Sequence, residues 1–411
     1  MAELRQNTWS LNAWYEQDYA GNVEYESTLS EFFTFGNNNW GQLGQNSRAG
    51  RSSPTQVPGT SWAHMSTANN NDSYHMIATK TDGTLWAWGD NNQGQLAQNN
   101  RVKYSSPVQI PGTDWNSGEI SREHSASFAI KTNGTLWAWG YNAYGELGQN
   151  QAPGNNNANY SSPAQIGSES NWKTIYAGSG CIFATKSDNS LWAWGNGSHG
   201  ALAMNNDQGY SSPRQVGIAH DISTSYVYST EPGKIAAGGQ TTAAIRTDGT
   251  LWVWGSNGEG QLAQNNSGTP NRRSSPIQVG GEDNWKQIAA ANSALCAVKT
   301  DGTMWIWGKN YAGYLGLNQK EPASDGRSSP TQLPGTDWER VVGGRSQWLA
   351  HKTDGTLWTW GRNWSGMLGL NTSQSVGDTH RSSPTQIPGT WDNSHNKAGS
   401  IYFSVGALKQ L

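Results

Sequence analysis

The chain has 411 residues, of which 14% are charged, and its formal net charge is -3 at pH 7. No basic cluster is longer than a pair of residues, which argues against a general phosphate-neutralising surface and makes nucleic acid an unlikely partner. The 23 tryptophans contradict the disorder that a low hydrophobic content would suggest, because disordered chains are poor in aromatic residues.

Residues 1–28 fall outside the pattern of the remaining chain. They contain Trp9, Trp14 and Tyr15, so we expect either an arm that packs onto the main domain or an anchor that docks on another protein. They lack the basic and then apolar order of a signal peptide, and no run approaches the ~18 apolar residues of a membrane helix. We therefore expect synthesis in the cytoplasm without membrane insertion, and two buried free thiols at Cys181 and Cys296.

A Trp-x-Trp-Gly motif organises residues 29–411. The six copies occupy 86–89, 137–140, 192–195, 252–255, 305–308 and 358–361, and a Phe-x-Phe-Gly version occupies 33–36. Successive copies start 53, 51, 55, 60, 53 and 53 residues apart. A fixed period of this length is typical of repeat architectures.

Each full repeat predicts four strands, here named a to d. Strand a opens on a Trp, strand b alternates apolar and polar residues, and Asp-Gly then predicts a type I′ hairpin into the Trp-x-Trp strand c. Residues i and i+2 of a strand share a face, so both Trp rings should enter one layer between sheets. The following Gly-x-Asn-x-x-Gly-x-Leu pattern is typical of tight turns. Ser-Ser-Pro-x-Gln then predicts strand d at an edge, because proline cannot donate to a ladder.

The first repeat has only strands c and d, and the end of the chain supplies the others. Trp391 opens a last strand a, and residues 401–409 resemble a strand b. We therefore predict an all-β fold, a seven-bladed β-propeller of four-stranded blades with one blade closed by both termini. The predicted repeats are 29–61, 62–114, 115–171, 172–234, 235–284, 285–337 and 338–390, with closing strands in 391–411, and the one sizeable insertion is 218–234.

The Gly-x-Asn-x-x-Gly-Gln-Leu-Gly pattern after Trp-x-Trp resembles the regulator-of-chromosome-condensation repeat. The resemblance covers about residues 29–411 and implies the propeller fold, which hosts unrelated activities. Family members include a nucleotide exchange factor, an ultraviolet-B photoreceptor with Gly-Trp-Arg-His-Thr clusters, and a β-lactamase inhibitor. This chain lacks those clusters and has no clear counterpart of the exchange factor's wedge or basic surface. The stretch 9–22 is also similar to the starts of repeat proteins of tailed marine phages.

Signs of enzymatic chemistry are few. The eight histidines form no metal-binding spacing, so no metal or other cofactor is expected. His75 occupies a repeat position that holds Ala, Cys, Thr or Gln elsewhere, which favours a packing role over catalysis. The recurring Asp of Asp-Gly is explained by its turn. A carboxylate pair assembled across blades at the central channel stays open as an alternative.

The turn after each Trp-x-Trp-Gly varies while its frame is constant, which is typical of recognition surfaces. All copies should project from one face of the ring, and the predicted binding residues are Trp40, Gln93, Tyr144, His199, Glu259, Tyr311 and Trp364. The alternative is that Trp40 and Trp364 merely cover neighbouring blades. A second varied position precedes Ser-Ser-Pro, where flat side chains should stack on a neighbouring strand.

The leading functional hypothesis is a non-enzymatic, virion-associated phage protein that presents a propeller face to a receptor or a neighbouring subunit and is tethered by Trp9, Trp14 and Tyr15. One alternative is a cytoplasmic protein-interaction or guanine-nucleotide-exchange-like propeller that acts on a protein partner. The other is a lectin that binds surface glycans.

Overall fold

The computed structural model describes residues 30–66, 74–151, 159–217, 228–229, 233–319, 326–372, 379–389, 391, 398–401 and 404–410. The regular elements in these residues are 28 β-strands and three short 3-10 turns, Ser198–Gly200, Thr269–Asn271 and Trp364–Gly366. The predicted arm 1–28 lies outside the described residues, as does most of the insertion 218–234.

Six four-stranded antiparallel sheets each consist of strands that follow one another along the chain in the order a, b, c, d. The first three are β3–β6 (Trp62–Met65, His75–Lys80, Leu85–Gly89, Tyr104–Ile110), β7–β10 (Trp115–Glu123, Ala126–Lys131, Leu136–Gly140, Tyr160–Gln165) and β11–β14 (Trp172–Gly178, Cys181–Lys186, Leu191–Gly195, Tyr210–Gln215). The next three are β15–β18 (Ile235–Gly238, Thr241–Ile245, Leu251–Gly255, Arg273–Gln278), β19–β22 (Trp285–Ala290, Ala294–Lys299, Met304–Gly308, Arg327–Leu333) and β23–β26 (Trp338–Gly343, Gln347–Lys352, Leu357–Gly361, Arg381–Ile387).

A further four-stranded sheet combines both ends of the propeller region. Strands β1 (Ser30–Gly36) and β2 (Arg51–Gln56) pair with β28 (Ser404–Gln410) and β27 (Ala398–Ile401) in the order β2-β1-β28-β27. Strand β28 takes position b, and Phe33 lies opposite Ala407. The predicted start of strand b at residue 401 was wrong, because Ile401 ends strand a and pairs with Ser404.

The two aromatic rings of each strand c share a face, as predicted, but differ in burial. Trp62 of strand a contacts both Trp86 and Trp88, with ring centroids 6.3 and 5.7 Å apart. Trp88 is fully buried, and its indole N–H donates to the carbonyl oxygen of Gln42 in the preceding sheet at 2.9 Å. Trp86 is half-buried and donates to the hydroxyl of Thr84 in its own sheet. The second ring therefore packs between sheets, whereas the first lies near the rim.

The turn between strands b and c is not the predicted type I′ turn. In the turn from Lys80 to Thr84 only Gly83 has a positive φ, of 79°, whereas a type I′ turn needs two such residues. The Gly83 amide donates to the carbonyl oxygen of Lys80, and the Asp82 carboxylate accepts from the Thr84 amide and hydroxyl at 3.0 and 2.6 Å. This is a type I turn followed by a glycine bulge, and the hydrogen bonds from Thr84 explain why aspartate precedes glycine.

The buried asparagine of the Gly-x-Asn pattern organises the loop between strands c and d. The Asn38 side-chain oxygen accepts from the Leu43 amide at 2.9 Å, and its amide group donates to the carbonyl oxygens of Ser47 and Ala49. The same acceptor role recurs at Asn91, Asn142, Asn257, Asn310 and Asn363. Turn chemistry therefore accounts for this pattern, as predicted.

One backbone hydrogen bond links neighbouring sheets and recurs throughout the chain. The amide donates from the loop after strand c, and the serine carbonyl that accepts lies in strand d of the next sheet. The pairs are Asn46–Ser105, Asn99–Ser161, Asn150–Ser211, Asn205–Ser274, Asn265–Ser328, Asn318–Ser382 and Asn371–Ser52. From β3 to β27, the strands a of consecutive sheets also contact one another. The architecture is an all-β propeller of four-stranded blades, as predicted.

Candidate binding site on the turn face

The loops between strands c and d lie at the same end of each blade as the hairpins between strands a and b. The Asp90 amide, directly after strand c, donates to the carbonyl oxygen of Tyr74, which directly precedes strand b, at 2.9 Å. The same bond joins Lys309 to Ser293 and Arg362 to Ser346. We call this end of the blades the turn face.

The seven predicted binding residues lie in the c–d loops of the turn face. Tyr144 and Tyr311 are the exposed large side chains among them, with 49% and 40% of their surface accessible. The other five are half-buried: Trp40, Gln93, His199, Glu259 and Trp364. The loops thus place all seven at one end of the blades, although whether they bind a partner stays a prediction.

Trp40 covers the neighbouring blade, in agreement with the alternative stated for it above. Its ring lies 5.7 Å from the ring of Tyr74, and the Lys103 ammonium lies 3.5 Å from its centroid. Lys103 is also paired with Asp90 at 3.3 Å. These contacts give Trp40 a packing role between blades.

A cavity of about 400 Å³ opens on the turn face between blades β19–β22 and β23–β26. We call it the basic cleft. Three of its side chains are cationic and none is acidic, and its lining consists of Asn292, Ser293, Lys309, Tyr311, Tyr314, Arg345, Ser346 and Arg362. These residues come from the a–b hairpin and the c–d loop of each blade, so the cleft exists only where two blades meet.

Aromatic rings hold one arginine of the basic cleft in place. The Arg362 guanidinium carbon lies 4.1 Å from the ring centroid of Tyr311 and 3.9 Å from that of Trp364. Burial lowers the pKa of Arg362 below its ordinary value, and the nearby charge of Arg345 lowers it further. A guanidinium held between two rings is pre-organised and loses little side-chain entropy when it binds an anion.

Tyr314 connects the two blades beneath the basic cleft. Its hydroxyl donates to the carbonyl oxygens of Gly344 and Arg345, at 3.2 and 2.9 Å. Burial raises the pKa of this phenol above its ordinary value, so it remains a neutral donor at physiological pH. Tyr314 therefore positions the hairpin that carries Arg345.

Two buried carboxyl groups, Glu123 and Glu146, come close enough to influence one another. The alternative left open for a carboxylate pair required an open channel, but both side chains are at most 1% exposed. Burial, together with the smaller effect of the nearby Glu123 charge, raises the pKa of Glu146 to about 8. A substrate could not reach either group in this structure, so the pair does not form a hydrolytic site here.

His75 is fully buried, and its Nε2 lies 2.8 Å from the Ser127 hydroxyl. Burial lowers its pKa well below 6.5, and the charge of Arg122 lowers it further. These surroundings are those of a packed histidine. Cys181 and Cys296 are free and buried, as expected. Among the described residues, no group of His, Cys, Asp and Glu is arranged to hold a metal ion.

The opposite end of the blades carries a repeated cluster of a cation between two aromatic rings. The Lys299 ammonium lies 4.7 and 4.4 Å from the ring centroids of Trp285 and Trp305, and it pairs with Glu282 at 2.7 Å. Lys80, Lys131, Lys186, Arg246 and Lys352 occupy equivalent places. A second cavity, of about 420 Å³, lies beside Glu282. All six cations contact aromatic rings, and four of them, Lys131, Lys186, Lys299 and Lys352, also pair with a carboxylate. We therefore assign these clusters to stability.

The sequence reasoning missed the position directly after Trp-x-Trp-Gly. It holds Asp90, Tyr141, Lys309 and Arg362 in different blades, and two of these line the basic cleft. The same repeat alignment that identified the varied turn would have revealed this position. The charged residues at this repeat position, rather than the aromatic residues of the turn, were the sequence signal for the basic cleft.

Comparison with known proteins agrees with this architecture. The model of the RCC1-like domain matches residues 124–405, and the Regulator of chromosome condensation (RCC1) repeat matches 31–70 and 82–122. The chain belongs to the RCC1-like domain family. The phage resemblance proposed for residues 9–22 has no support from these comparisons, and that stretch lies outside the described residues.

This RCC1-like chain is similar to parts of larger curated proteins. It is 27% identical over 254 residues to the human probable E3 ubiquitin-protein ligase HERC6, which covers 59% of the chain but 23% of HERC6. It is 25% identical over 345 residues to the Arabidopsis thaliana ultraviolet-B receptor UVR8, covering 81% of the chain and 73% of the receptor. The chain thus spans about a quarter or less of the HERC proteins that it matches.

Solved structures share the fold. Prp20p from Saccharomyces cerevisiae superposes with a TM-score of 0.75 at 20% identity, covering 95% of this chain and 94% of Prp20p. Human WBSCR16 superposes with a TM-score of 0.76 at 18% identity, covering 93% and 99%. In the described residues no helix is long and apolar enough to cross a membrane.

Proposed function

We propose that this RCC1-like propeller is a non-enzymatic protein-binding module whose turn face contacts a protein partner. The observation that carries the proposal is the contrast between a repeated frame and varied side chains at one end of the blades. The frame consists of the buried asparagine, the second Trp and the hydrogen bonds between sheets. The variation concentrates in the c–d loops, and the basic cleft lies among them. A rigid scaffold with varied loops is the usual arrangement of recognition surfaces.

We also infer that the sheet β2-β1-β28-β27 is a seventh blade that closes the ring. The Asn371 amide donates to the Ser52 carbonyl oxygen at 2.9 Å, as the equivalent residues do between the other sheets. On its other side, the Phe32 ring lies 6.0 Å from that of Trp62 in the next blade. The sheet formed from both termini therefore has a partner blade on each side.

The relatives favour the protein-interaction alternative over a virion role. The structure of Prp20p is described together with its binding to Gsp1p and histones. Another structure contains yeast Prp20 bound to Kap60. The ligase activity of the HERC proteins belongs to chains of which this one covers a small part. An exchange-factor-like role and a glycan ligand remain proposals that no described residue supports. The proposed anchor at Trp9, Trp14 and Tyr15 lies outside the described residues.

Site-specific photo-crosslinking tests the proposal. A photoreactive amino acid replaces Tyr144 or Tyr311 on the turn face, and the control places it at Asp301 in a b–c turn at the opposite end. We expect discrete adducts with one partner from the two turn-face positions and none from residue 301 in a lysate of the producing cells. Adducts with one partner from residue 301 alone would assign binding to the other face.

A further inference from the structure

We propose that the basic cleft between blades β19–β22 and β23–β26 binds carboxylate side chains of an acidic peptide segment in the protein partner. This inference rests on the proposed function and gives the chemistry of one subsite. Two arginines and a lysine line this open cavity, and none of its lining residues is acidic. Because the cleft joins two blades, its charges are fixed relative to each other by the ring.

The geometry of Arg362 suits a carboxylate. Its guanidinium carbon lies over the rings of Tyr311 and Trp364. Contacts of this kind engage the face of a guanidinium and leave its N–H edge for in-plane hydrogen bonds. A guanidinium presents paired N–H donors that match the two oxygens of a carboxylate. The Arg362 Nε atom is buried and has no hydrogen-bond partner among the described residues. The two rings therefore hold the Arg362 guanidinium at the wall of an open cavity.

The remaining lining residues add donors of moderate strength and an apolar wall. Ser293, Ser346 and Asn292 supply hydroxyl and amide groups from the two a–b hairpins. Tyr311 has 40% of its surface exposed beside the cleft. An exposed aromatic ring next to cationic donors suits a peptide. Its acidic side chains can pair with the cations, while its backbone and the apolar stems of its side chains pack on the ring. A short extended segment fits the scale of about 400 Å³ better than a folded surface.

The charge distribution disfavours a nucleic acid in the same place. Binding to a phosphate backbone requires many cations along a groove, whereas this cluster contains three and the chain carries a net charge of -3. The Lys309 ammonium is moreover paired with the Glu259 carboxylate at 2.7 Å. The positive charge of the cleft is therefore local, and it suffices to bind one or two carboxylates.

Glu259 acts as an internal competitor at the rim of the basic cleft. It comes from the neighbouring blade β15–β18, and both it and Lys309 are more than one third exposed. An acidic peptide must share Lys309 with this carboxylate or displace it. Removal of the Glu259 charge should therefore strengthen binding, which a loss of structure would not do.

Fluorescence anisotropy with a fluorescein-labelled hexaglutamate peptide provides the test, with hexaglutamine as the uncharged probe. We expect the full chain to bind hexaglutamate and not hexaglutamine. The changes Arg345→Gln and Arg362→Gln should each weaken binding about tenfold, in keeping with the loss of one charge-assisted pair. Glu259→Gln should tighten it roughly two- to fivefold. Arg214→Gln is the matched control, since Arg214 also lies over a ring, 4.5 Å from the centroid of Tyr210, but outside the cleft.

Several results would overturn the inference. These are equal binding of both peptides, unchanged affinity in Arg345→Gln, or weaker binding in Glu259→Gln. Displacement of hexaglutamate by an equal concentration of inorganic phosphate would reassign the cleft to small anions, and tighter binding of a DNA oligonucleotide would reassign it to nucleic acid. If crosslinks from residues 144 and 311 persist in Arg345→Gln while hexaglutamate never binds, the proposed function stands and this inference fails. If those crosslinks are absent although hexaglutamate binds, the proposed function fails instead.

Discussion

At the scale of single residues, Glu146 departs from the repeat in an informative way. The equivalent residues Gln42, Gln95 and Gln261 each accept the backbone amide two positions earlier through the side-chain oxygen. Glu146 does the same for Tyr144, at 2.8 Å. Burial and the nearby Glu123 charge raise its pKa from 4.5 to about 8, so at neutral pH the protonated form, which resembles glutamine, is favoured. Glu146 therefore makes the stability of the fold depend on pH, which its glutamine counterparts do not.

The variant Glu146→Gln should remove this dependence. Because the pKa is higher in the folded than in the unfolded state, the folded protein binds the proton more tightly, and the wild type loses stability as pH rises from 4.5 to about 8. We expect the two proteins to be nearly equal at pH 4.5 and the variant to be more stable above pH 8, by up to about 5 kcal/mol for a pKa raised from 4.5 to about 8. Urea unfolding at both pH values measures this. Glu339→Gln, at the half-exposed surface, serves as the control, and an equal difference for Glu146→Gln at both pH values would contradict the assignment.

At the scale of elements, strand c joins each blade to its predecessor through its second aromatic ring. The Trp307 indole N–H donates to the carbonyl oxygen of Gln261 at 2.8 Å, and equivalent bonds occur at Trp88, Trp139, Trp194 and Trp254. Trp360 is equally buried, but its indole N–H has no hydrogen-bond partner among the described residues. Its ring stacks instead on Trp348, with centroids 6.4 Å apart.

This difference predicts unequal costs for the same substitution. Trp307→Phe should lose packing volume and also leave the Gln261 carbonyl without its donor, whereas Trp360→Phe should lose volume alone. We expect the free energy of unfolding to fall by about 1 kcal/mol more for Trp307→Phe than for Trp360→Phe. Chemical denaturation of the two variants in parallel gives the difference directly. A larger loss for Trp360→Phe would show that ring packing, not the hydrogen bond, decides the cost.

The elements were predictable from sequence because their signals are local. The alternating Trp-x-Trp pattern, the Asp-Gly turn and the Ser-Ser-Pro edge each specify a strand or its end within a few residues. The predicted turn type was wrong because the hydrogen bonds that Thr84 donates to the Asp82 carboxylate favour a glycine bulge, and dipeptide preferences do not include these bonds. The basic cleft needed the spatial approach of Lys309, Arg345 and Arg362, whose meeting depends on how two blades are positioned.

For the whole molecule, the ring closure that we propose depends on the sheet made from both ends of the propeller region. Strand β1 pairs with β28 along its full length. Phe35, Trp391 and Ala407 belong to one buried apolar cluster with side chains of the preceding blade. Without β27 and β28, this cluster and all the backbone groups of β1 that pair with β28 would be exposed to solvent.

Deletion of residues 398–411 should therefore open the ring. We expect the thermal midpoint to fall by roughly 10 °C or more and the chain to self-associate through the exposed strand edge. Differential scanning calorimetry and size-exclusion chromatography measure the two effects. A synthetic peptide of residues 398–411 added to the truncated chain should restore the midpoint. An unchanged midpoint after the deletion would contradict closure by this sheet.

We propose above that the turn face is the surface that binds a protein partner. The most direct measurement is hydrogen–deuterium exchange of the chain alone and in complex with the partner recovered by crosslinking. We expect slower exchange in the c–d loops and a–b hairpins, including residues 292–293, 309–314, 345–346 and 361–366. Slower exchange confined to the b–c turns around Asp82, Asp301 and Asp354, with the turn face unchanged, would contradict it.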